Sequence, residues 1–379
     1  MLDQLSDIRV IEMGTFITGP AAAMQLADLG ADVIKVERPE TGDPFREFKG
    51  GLYSPHFQTF NRNKRSVALD TRDDADLAAF DEMIAGADVF IQNFRPGMAE
   101  KLNVGPERLR AINPRLVYCS ISGFGNSGPE RDRPAFDTVA QAATGFLRLL
   151  LNPAKPCVVG PAIADSVTGI YAAMGVLAAL HKRERTGRGE LVETSMLESM
   201  SYFNLDDFTH FLSANQVMTS FSRPHVSQSY VFECADGRSI ALHMSSPQKF
   251  WDNLLLAMDQ PEFAGDPAFA DRNSRIASYE DIARKLQPVF GARPLAHWTD
   301  RFAEHEVPHH EVSMPGDVLA SEQVRHLEME VSAPGPFGRE FRTIRNPLSF
   351  DGERMDRVSA PPVLGQDNEI LIRRRDKNC

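Results

Sequence analysis

Short runs rich in β-branched residues alternate with stretches of helical periodicity from the start of the chain to about residue 200. Consecutive strands separated by helices favour a parallel sheet, because each helical crossover returns the chain to the end of the sheet where the previous strand began. The predicted strands are 9–12, 32–37, 66–69, 88–93, 116–121 and 191–194, and the predicted helices between them are 20–29, 74–85 and 136–150. The pattern predicts an α/β fold with a doubly wound, mostly parallel, Rossmann-like sheet.

A second domain is expected, because 379 residues exceed the ~150 residues of a typical domain. A linker is predicted at 220–225, and after it Asp236-Gly237 separates two alternating apolar segments, as in a β-hairpin over 230–244. Helical patterns follow at 248–258, 279–290 and 295–305. We predict a large α/β domain over 1–215, a small α+β domain over 225–325 and a Pro/Gly/Arg-rich C-terminal segment over 331–379.

Charge and composition exclude several classes of protein. The chain has 41 Lys and Arg against 52 Asp and Glu, a net charge of −11, which disfavours nucleic acid or an anionic membrane as the main partner. The longest apolar run, 170–180, is shorter than the ~20 residues that span a bilayer, and the N-terminus is acidic where a signal peptide is basic. The four cysteines lack CxxC spacing, which indicates reduced thiols. We expect a soluble, cytoplasmic protein.

The carboxyl ends of parallel strands are the usual ligand position in such a sheet. The first strand–helix turn contains Gly14 and Gly19 but matches neither GxGxxG nor GxxxxGK[ST], so neither nucleotide-binding fingerprint is present. The predicted crevice collects residues 16–18, Arg38, 69–72, Asn93 and Phe94. Arg38 and Arg72, joined by Lys101, fit either a polyanion site or a solvated charged rim.

Six segments resemble one known family, the class III CoA-transferases, which includes formyl-CoA transferase and carnitine CoA-transferase. They are VIEMGTFITGPAAAMQLADLGADVIKVERPETGD (10–43), NRNKRSVALD (61–70), QNFRPG (92–97), SISGFGNSGP (120–129), FDTVAQAATG (136–145) and ADSVTGIYAAMGVLAALHKRERTGRGE (164–190). The resemblance covers nearly all of residues 8–200 in the family's order and is looser beyond.

The resemblance implies that the protein exchanges coenzyme A between an acyl-CoA and a small organic acid, with no metal or redox cofactor. In the family, the aspartate at the head of the ADSVTG-type segment is the nucleophile, and in this chain it is Asp165. Its carboxylate would form an aspartyl-CoA thioester by way of a mixed anhydride. The alternative for Asp165 is an N-cap, because aspartate is a favoured cap and an apolar helix starts there. A helix N-terminus would also favour the ionised carboxylate against moderate burial.

Further positions carry over from the family's CoA-binding segments. The implied CoA-binding residues are Ile17, Thr18, Arg38, Leu69, Arg72, Asn93, Phe94, Lys101, Phe136 and Asp137. Phe136 and Asp137 align with a tyrosine and a glutamate near the thioester, so the acid is kept and the hydroxyl is lost. Core packing is the alternative for Phe94 and Phe136.

The family also implies an interlocked homodimer in which the segment from about 330 onward returns to the large domain. The zone 221–237 lacks the glycine run of formyl-CoA transferase, which argues against oxalate; His225 and Gln228 there fit an acyl contact or a loop. Succinyl-CoA is a common donor, so Arg46 and Arg223 fit either a second carboxylate or solvated surface.

Two other functions stay open at the level of sequence. An α-methylacyl-CoA racemase on the same fold carries a histidine directly before the aspartate of the FDTVAQ-type segment, where this chain has Phe136. A catalytically idle CoA-binding scaffold is the other, and the intact Asp165 segment argues against it.

Overall fold

A computed structural model describes residues 2–49, 51–152, 154–245 and 247–370. The chain forms two compact units, a large unit (1–147, 158–205 and 323–379) and a small unit (148–157 and 206–322). Residues 371–379 of the predicted C-terminal segment, with Cys379, lie outside the described residues. The predicted domain boundaries stay a prediction, because compactness does not test independent folding.

The large unit is built on a six-stranded sheet in which every neighbouring pair is parallel. The strands lie in the order β3-β2-β1-β4-β5-β6. They are β1 (Arg9–Glu12), β2 (Asp32–Glu37), β3 (Lys64–Ala68), β4 (Val89–Gln92), β5 (Val117–Ser122) and β6 (Leu191–Ser195). The order reverses between β1 and β4, which makes this the topological switch point of the sheet. The predicted α/β class with a parallel, doubly wound sheet is confirmed.

Helices cover both faces of this sheet, and each face has its own apolar core. The helices of this part of the chain are α1 (Thr18–Asp28), α2 (Pro55–Phe60), α3 (Asp74–Ala85), α4 (Met98–Lys101), α5 (Pro106–Ile112), α6 (Asp137–Ala143), α7 (Phe146–Leu150), α8 (Ile163–Thr186) and α9 (Met196–Phe203), with a 3-10 turn at Pro44–Glu47. Helices α1 and α8 share one core, and α3 and α5 pack in the other. A Cβ atom at Gly169 would lie only 2.8 Å from Cβ of Ala21, so glycine lets α8 pack closely on α1.

The small unit has a three-stranded antiparallel sheet packed against helices. Its strands are β7 (Ser229–Glu233), β8 (Ser239–His243) and β9 (His309–Glu311), and the helices in this part of the chain are α10 (Leu205–Ala214), α11 (Ser222–Ser227), α12 (Gln248–Met258), α13 (Arg272–Ala277), α14 (Tyr279–Gly291), α15 (Leu295–Glu304) and α16 (Pro315–Ala320), with 3-10 turns at Pro261–Gly265 and Pro267–Phe269. The predicted hairpin is confirmed, and Gly237 in its turn has a φ of +75°.

The chain then adds α17 (Glu322–His326), a 3-10 turn at Pro336–Gly338, and two small hairpins, β10 (Glu330–Pro334) with β11 (Glu340–Ile344) and β12 (Ser349–Phe350) with β13 (Glu353–Arg354). Residues 365–368 cover the outer edge of β3. The amide of Ser66 donates to Oδ2 of Asp367 at 2.9 Å, and the amide of Ala68 donates to Oδ1 of Asn368 at 2.8 Å. These two amides of the edge strand are therefore satisfied inside the chain rather than left open to another strand.

Three of the differences from the sequence predictions have a clear cause in the structure. The single helix predicted over 136–150 is two helices, because Gly145 between them adopts a left-handed φ of +74°. The linker predicted at 220–225 is partly helix α11, which tolerates Pro224 because it lies in the first turn. Strand β3 begins at Lys64, two residues early, since the sequence gives no sign that a lysine there is buried and paired.

Helix α8 is long and apolar enough, by length and composition, to cross a membrane, the one such helix among the residues described. It extends well beyond the apolar run 170–180 on which the sequence prediction rested. Its most apolar window is 44% buried, and it packs against α1 in the core of the large unit. The core helix of a folded domain meets the same criteria.

Candidate active site

A cavity of about 290 Å³ lies at the carboxyl ends of β1, β4 and β5, at the switch point of the sheet. Its walls come from the loops after these strands, from the turn before α6 and from the first turns of α8 and α9. The lining residues are Thr15, Phe16, Ile17, Thr18, Asn93, Phe94, Arg95, Pro96, Met98, Ile121, Ser122, Gly123, Arg131, Arg133, Ala135, Phe136, Asp165 and Met196. The sheet topology thus places Asp165 in the crevice where ligands of such folds bind.

Asp165 is the third residue of α8 and is partly buried. The N-cap residue of α8 is Ala162, so the alternative that Asp165 is an N-cap is wrong. No described group donates a hydrogen bond to its carboxylate. Burial, together with the nearby negative charge of Asp137, raises the pKa of Asp165 to about 7. The carboxylate therefore faces the cavity without partners and holds its proton unusually tightly.

Asp137 takes the position at the N-terminus of α8 that the sequence suggested for Asp165. Its Oδ1 accepts hydrogen bonds from the amides of Ala164 at 2.8 Å and Asp165 at 3.3 Å, and its Oδ2 accepts from Gln141 at 2.6 Å. A carboxylate is stabilised there by free amides and by the helix dipole. The expected stabilisation of ionised Asp165 by these amides is therefore wrong, because they bind Asp137 instead.

Asn93 fixes the loop that joins β1 to α1. Its Oδ1 accepts from the amide of Thr15 at 2.9 Å, while its Nδ2 donates to the carbonyl of Thr15 and to Oγ1 of Thr18, both at 2.8 Å. Phe16 in this loop has a left-handed φ of +61°, an uncommon conformation for a bulky residue. Its ring packs edge-on against Phe45 and Phe136. The loop that faces Asp165 is therefore held in one conformation by a side chain of the neighbouring strand end.

A network of buried charged side chains also holds the loop between β1 and α1. Lys35 donates to Oε1 of Glu12 at 3.0 Å and to the carbonyl of Gly14 at 2.7 Å, and it forms an ion pair with Asp43 at 3.1 Å. Lys64 reaches the other oxygen of Glu12 at 3.2 Å. Asp43 in turn accepts from the amide of Phe16 at 3.1 Å. The buried network fixes the backbone between β1 and α1 while satisfying its charges.

The structure brings only part of the predicted site together. Ile17, Thr18, Asn93, Phe94, Phe136 and Asp165 line the cavity, and Asp137 lies behind Asp165. Phe136 is 62% exposed, so core packing does not explain this residue. Phe94 packs partly against the apolar core that contains α3 and α5.

Four other predicted residues do not line the cavity, because they follow the outer strands or lie at the end of α4. The side chain of Leu69 is buried in the core. Arg72 donates to both oxygens of Asp70, at 2.9 and 2.6 Å, and these hydrogen bonds lower the pKa of Asp70 to about 2. Arg38 is exposed and also lowers the pKa of Asp70, so Arg38 and Arg72 share one exposed rim. Lys101 is exposed at the end of α4.

Among the cavity residues that the sequence did not predict, three are arginines, namely Arg95, Arg131 and Arg133. Their signal was the run of basic residues just before the FDTVAQ segment and the arginine in QNFRPG. Neither run has a spacing that indicates a ligand, since charged residues at a turn are usually solvated. Only the fold shows that these residues line the cavity of Asp165.

Two side chains considered for substrate contact have other roles. Arg46 is fully buried and donates to both oxygens of Glu37, at 2.6 and 2.7 Å, so both roles considered for it, a second-carboxylate contact and solvated surface, are wrong. Gln228 is fully buried in the small unit, where its Oε1 accepts from Trp251 and Arg275. An acyl contact by Gln228 is therefore wrong. The ring of His225 contacts that of Tyr279 at an interplanar angle of 34°, with the ring centroids 4.3 Å apart.

A larger cavity, of about 560 Å³, lies elsewhere in the large unit beside Tyr53 and Phe337. The hydroxyl of Tyr53 donates to the carbonyl of Pro361 at 2.7 Å, and burial raises the pKa of Tyr53 to about 12. This cavity is mostly apolar and offers no activated nucleophile. Chemistry is therefore assigned to the smaller cavity at the switch point.

Comparisons of the sequence and of the structure with known proteins point to the same family. A sequence profile described as CoA-transferase family III matches residues 5–368. The succinyl-CoA:mesaconate CoA-transferase of Haloarcula hispanica is 34% identical over 97% of this chain and 95% of its own length. The formyl-CoA:oxalate CoA-transferase of Streptomyces avermitilis is 31% identical over 98% and 95%. The crystal structure of a CAIB/BAIF family protein from Brucella suis has a TM-score of 0.85 at 28% identity, covering 97% of this chain and 98% of that one. The chain therefore belongs to CoA-transferase family III and is an enzyme of that family.

Proposed function

We propose that the enzyme moves coenzyme A from an acyl-CoA donor to a free carboxylic acid through a covalent aspartyl-CoA intermediate on Asp165. The observation that supports this most is a carboxylate without hydrogen-bond partners in a cavity at the switch point of the sheet. A poorly hydrated carboxylate is a stronger nucleophile than a solvated one.

The reaction needs no proton transfer once Asp165 is ionised. Its carboxylate attacks the thioester carbonyl carbon, the C–S bond breaks, and a mixed anhydride and CoA thiolate form. The thiolate then attacks the aspartyl carbonyl, which releases the donor acid and leaves CoA as a thioester on Asp165. The acceptor carboxylate repeats the two steps in reverse and leaves with CoA, so that Asp165 is regenerated.

The arrangement of the walls supports the same assignment. Apolar side chains around Asp165, among them Phe16, Met98 and Ile121, would exclude water that could hydrolyse the anhydride or the thioester. The basic rim of Arg38 and Arg72 lies beyond the cavity, where the phosphates of a long substrate would find cations. We include in the proposal that Arg38, Arg72 and Lys101 bind the phosphates of CoA.

The covalent intermediate provides the direct test. Incubation with an acyl-CoA alone, followed by hydroxylamine and peptide mass spectrometry, is expected to modify Asp165. The pKa of Asp165, about 7, makes the rate of adduct formation depend on pH. Because only the ionised carboxylate attacks, adduct formation should rise about tenfold per pH unit below 7 and level off above it. Modification of Asp137 in place of Asp165, or no adduct at any pH, would contradict the proposal.

The racemase alternative is not favoured, since both relatives compared above are named as CoA-transferases. Racemisation takes and returns a proton with two bases, and Phe136 stands where racemases have a histidine. Incubation in deuterated water distinguishes the two reactions. A transferase moves a labelled free acid into the CoA pool, whereas a racemase exchanges the α-hydrogen of its acyl-CoA with solvent.

We propose further that the enzyme acts as a homodimer, and one face of α8 supports an interface. Ile170, Met174 and Leu177 follow helical spacing along this face, and the first two are 56% and 57% exposed. An apolar stripe of this kind on a core helix is typical of a contact with a second protein surface.

The paired variant Ile170→Lys, Met174→Lys is expected to lose the dimer in sedimentation velocity, because it would bury two unpaired cations in the interface. Arg185→Gln, at an exposed polar position of the same helix, is the control and should sediment as the wild type does. A wild-type protein that stays a folded monomer on concentration, or a paired variant that remains a dimer, would rule out this interface.

A further inference from the structure

Residues 361–368, which we call the strap, are attached to the amino-terminal part of the large unit. The carbonyl of Pro361 accepts a hydrogen bond from the hydroxyl of Tyr53 at 2.7 Å, and Oδ2 of Asp367 accepts one from the amide of Ser66 at 2.9 Å. No strap residue lines the cavity at the switch point. Any effect of the strap on the reaction must therefore reach that cavity through other side chains.

The buried side chain of Arg46 joins the strap to an acid inside the large unit. Its Nη1 donates to the carbonyl of Pro362 at 3.2 Å and to that of Leu52 at 3.1 Å, while Nε and Nη2 donate to the two carboxylate oxygens of Glu37 at 2.6 and 2.7 Å. The guanidinium carbon lies 3.6 Å from the ring centre of Phe57. Because the guanidinium is planar and rigid, these contacts fix a single orientation of the side chain.

Glu37 in turn is linked to the loop between β1 and α1. Its Oε2 also accepts from the amide of Asp43 at 3.0 Å. The carboxylate of Asp43 accepts from the amides of Phe16 at 3.1 Å and Phe45 at 2.9 Å, and the rings of Phe16 and Phe45 meet edge-on with their centroids 5.2 Å apart. A series of hydrogen bonds therefore connects the strap, through Arg46 and Glu37, to the loop that faces the cavity.

A second path joins the strap to the same carboxylate. The buried hydroxyl of Ser66 donates to Oε1 of Glu37 at 2.7 Å and accepts from the amide of Gly365 at 3.0 Å. Burial alone would raise the pKa of Glu37, but the hydrogen bonds from Arg46 and the charge of Lys35 hold this pKa below its ordinary value. Glu37 therefore stays ionised and accepts hydrogen bonds from both paths at once.

We propose that Arg46 is a positioning residue for catalysis, which uses the strap to hold the loop at Phe16 in the conformation that orients the thioester against Asp165. This role rests on the proposed transfer through Asp165. The left-handed conformation of Phe16 persists only where surrounding contacts enforce it. Without the fork of Arg46, we expect the loop to relax and the reacting atoms to lose their alignment.

Amide hydrogen exchange tests the effect on the loop directly. Arg46→Lys keeps a cation beside Glu37 but loses the planar fork that binds this acid and the strap together. Exchange in peptides that cover the loop 13–17 should become at least about tenfold faster in this variant, with no change in the hairpin 229–243 of the small unit. Unchanged exchange at 13–17 would overturn the assignment.

Adduct formation on Asp165 measures the effect on the reaction. At saturating acyl-CoA its rate should fall about 10- to 100-fold in Arg46→Lys, because small displacements of reacting groups cost this much. A relaxed loop also admits water to Asp165, so the pH at which the rate levels off should fall below the value of about 7 expected for the wild type. Ser66→Ala, which breaks only the second path, should move both readouts in the same direction by a smaller factor. It decides the question if Arg46→Lys does not fold.

Arg275→Lys is the matched control for the loss of a buried guanidinium. Arg275 is 1% exposed and donates to Gln228 and to the carbonyl of Phe269 in the small unit. This variant should lower stability but leave the adduct rate, its pH profile and exchange at 13–17 unchanged. Equal losses of adduct rate in both arginine variants would overturn the positioning role. A wild-type enzyme that forms no adduct at any pH would reject the transfer mechanism instead, and exchange at 13–17 would still decide whether Arg46 holds the loop.

Discussion

Replacing Asp165 with asparagine is expected to lower the rate of CoA transfer by roughly 10³-fold or more, because the amide cannot form the anhydride that divides the reaction into easier steps. Transfer is measured by following labelled acid into acyl-CoA. Asp165→Ala serves as a second variant that cannot revert by deamidation, and it should lose activity to a similar extent.

The same substitution should not weaken the fold. A carboxyl group whose pKa is raised on folding binds its proton more tightly in the folded state, so stability falls as pH rises from the ordinary aspartate value to about 7. At pH 8 the buried negative charge therefore costs stability. Asp165→Asn removes it and should raise the free energy of unfolding by about 1–3 kcal/mol at pH 8, with little change at pH 4.

These two readouts separate a catalytic from a structural role. A variant that is more stable at pH 8 and inactive fits a nucleophile held in an unfavourable environment. Near-normal turnover in Asp165→Asn would show that another group attacks the thioester. A loss of stability with the loss of activity would instead indicate that Asp165 supports the start of α8.

Glu12→Gln is expected to lower the free energy of unfolding by about 3–5 kcal/mol, the effect typical of removing one partner from a buried ion pair. Glu12 is fully buried and binds Lys35 and Lys64, both without exposed side-chain surface. Burial already lowers the pKa of Lys64 to about 8, in spite of the opposing charge of Glu12. Without the negative charge of Glu12, the positive charges of Lys35 and Lys64 repel each other with less compensation.

Denaturant unfolding measures this effect, and Asp81→Asn provides its control. Asp81 pairs with Arg108 at 2.6 Å on the surface, so its loss should cost less than about 1 kcal/mol. Because Lys35 also holds the carbonyl of Gly14, Glu12→Gln should raise the KM for acyl-CoA as well. A change in stability as small as that of the control would mean that the buried network does not support the loop.

Much of the fold could be predicted from local sequence. The alternation of strands and helices up to residue 200 predicted all six parallel strands, and the Asp236-Gly237 turn predicted the hairpin of β7 and β8. Where the predicted bounds of an element were wrong, the cause was a long-range contact or the conformation of one backbone residue. Buried Lys64 hides the start of β3, and the left-handed Gly145 divides one expected helix into two.

The candidate site was predicted less completely. The family resemblance led to Asp165, and six of the eleven predicted residues line its cavity. Three arginines of that cavity were missed, and Arg46, considered for a second carboxylate, is buried against Glu37. A charged side chain has the same appearance in a sequence whether it is solvated, paired in the core or facing a ligand.

The α/β class, the parallel sheet and the family could be predicted before the structure, because periodicity and motif order are properties of neighbouring residues along the chain. The folded chain was needed to show which loops meet at the switch point between β1 and β4, that Asp137 rather than Asp165 binds the amides at the start of α8, and that Arg133 lines the cavity. These features depend on contacts between residues far apart in the chain, such as Asp137 with Ala164, and on the burial that those contacts create. Burial and charge proximity set the pKa of Asp165, and neither can be obtained from local sequence.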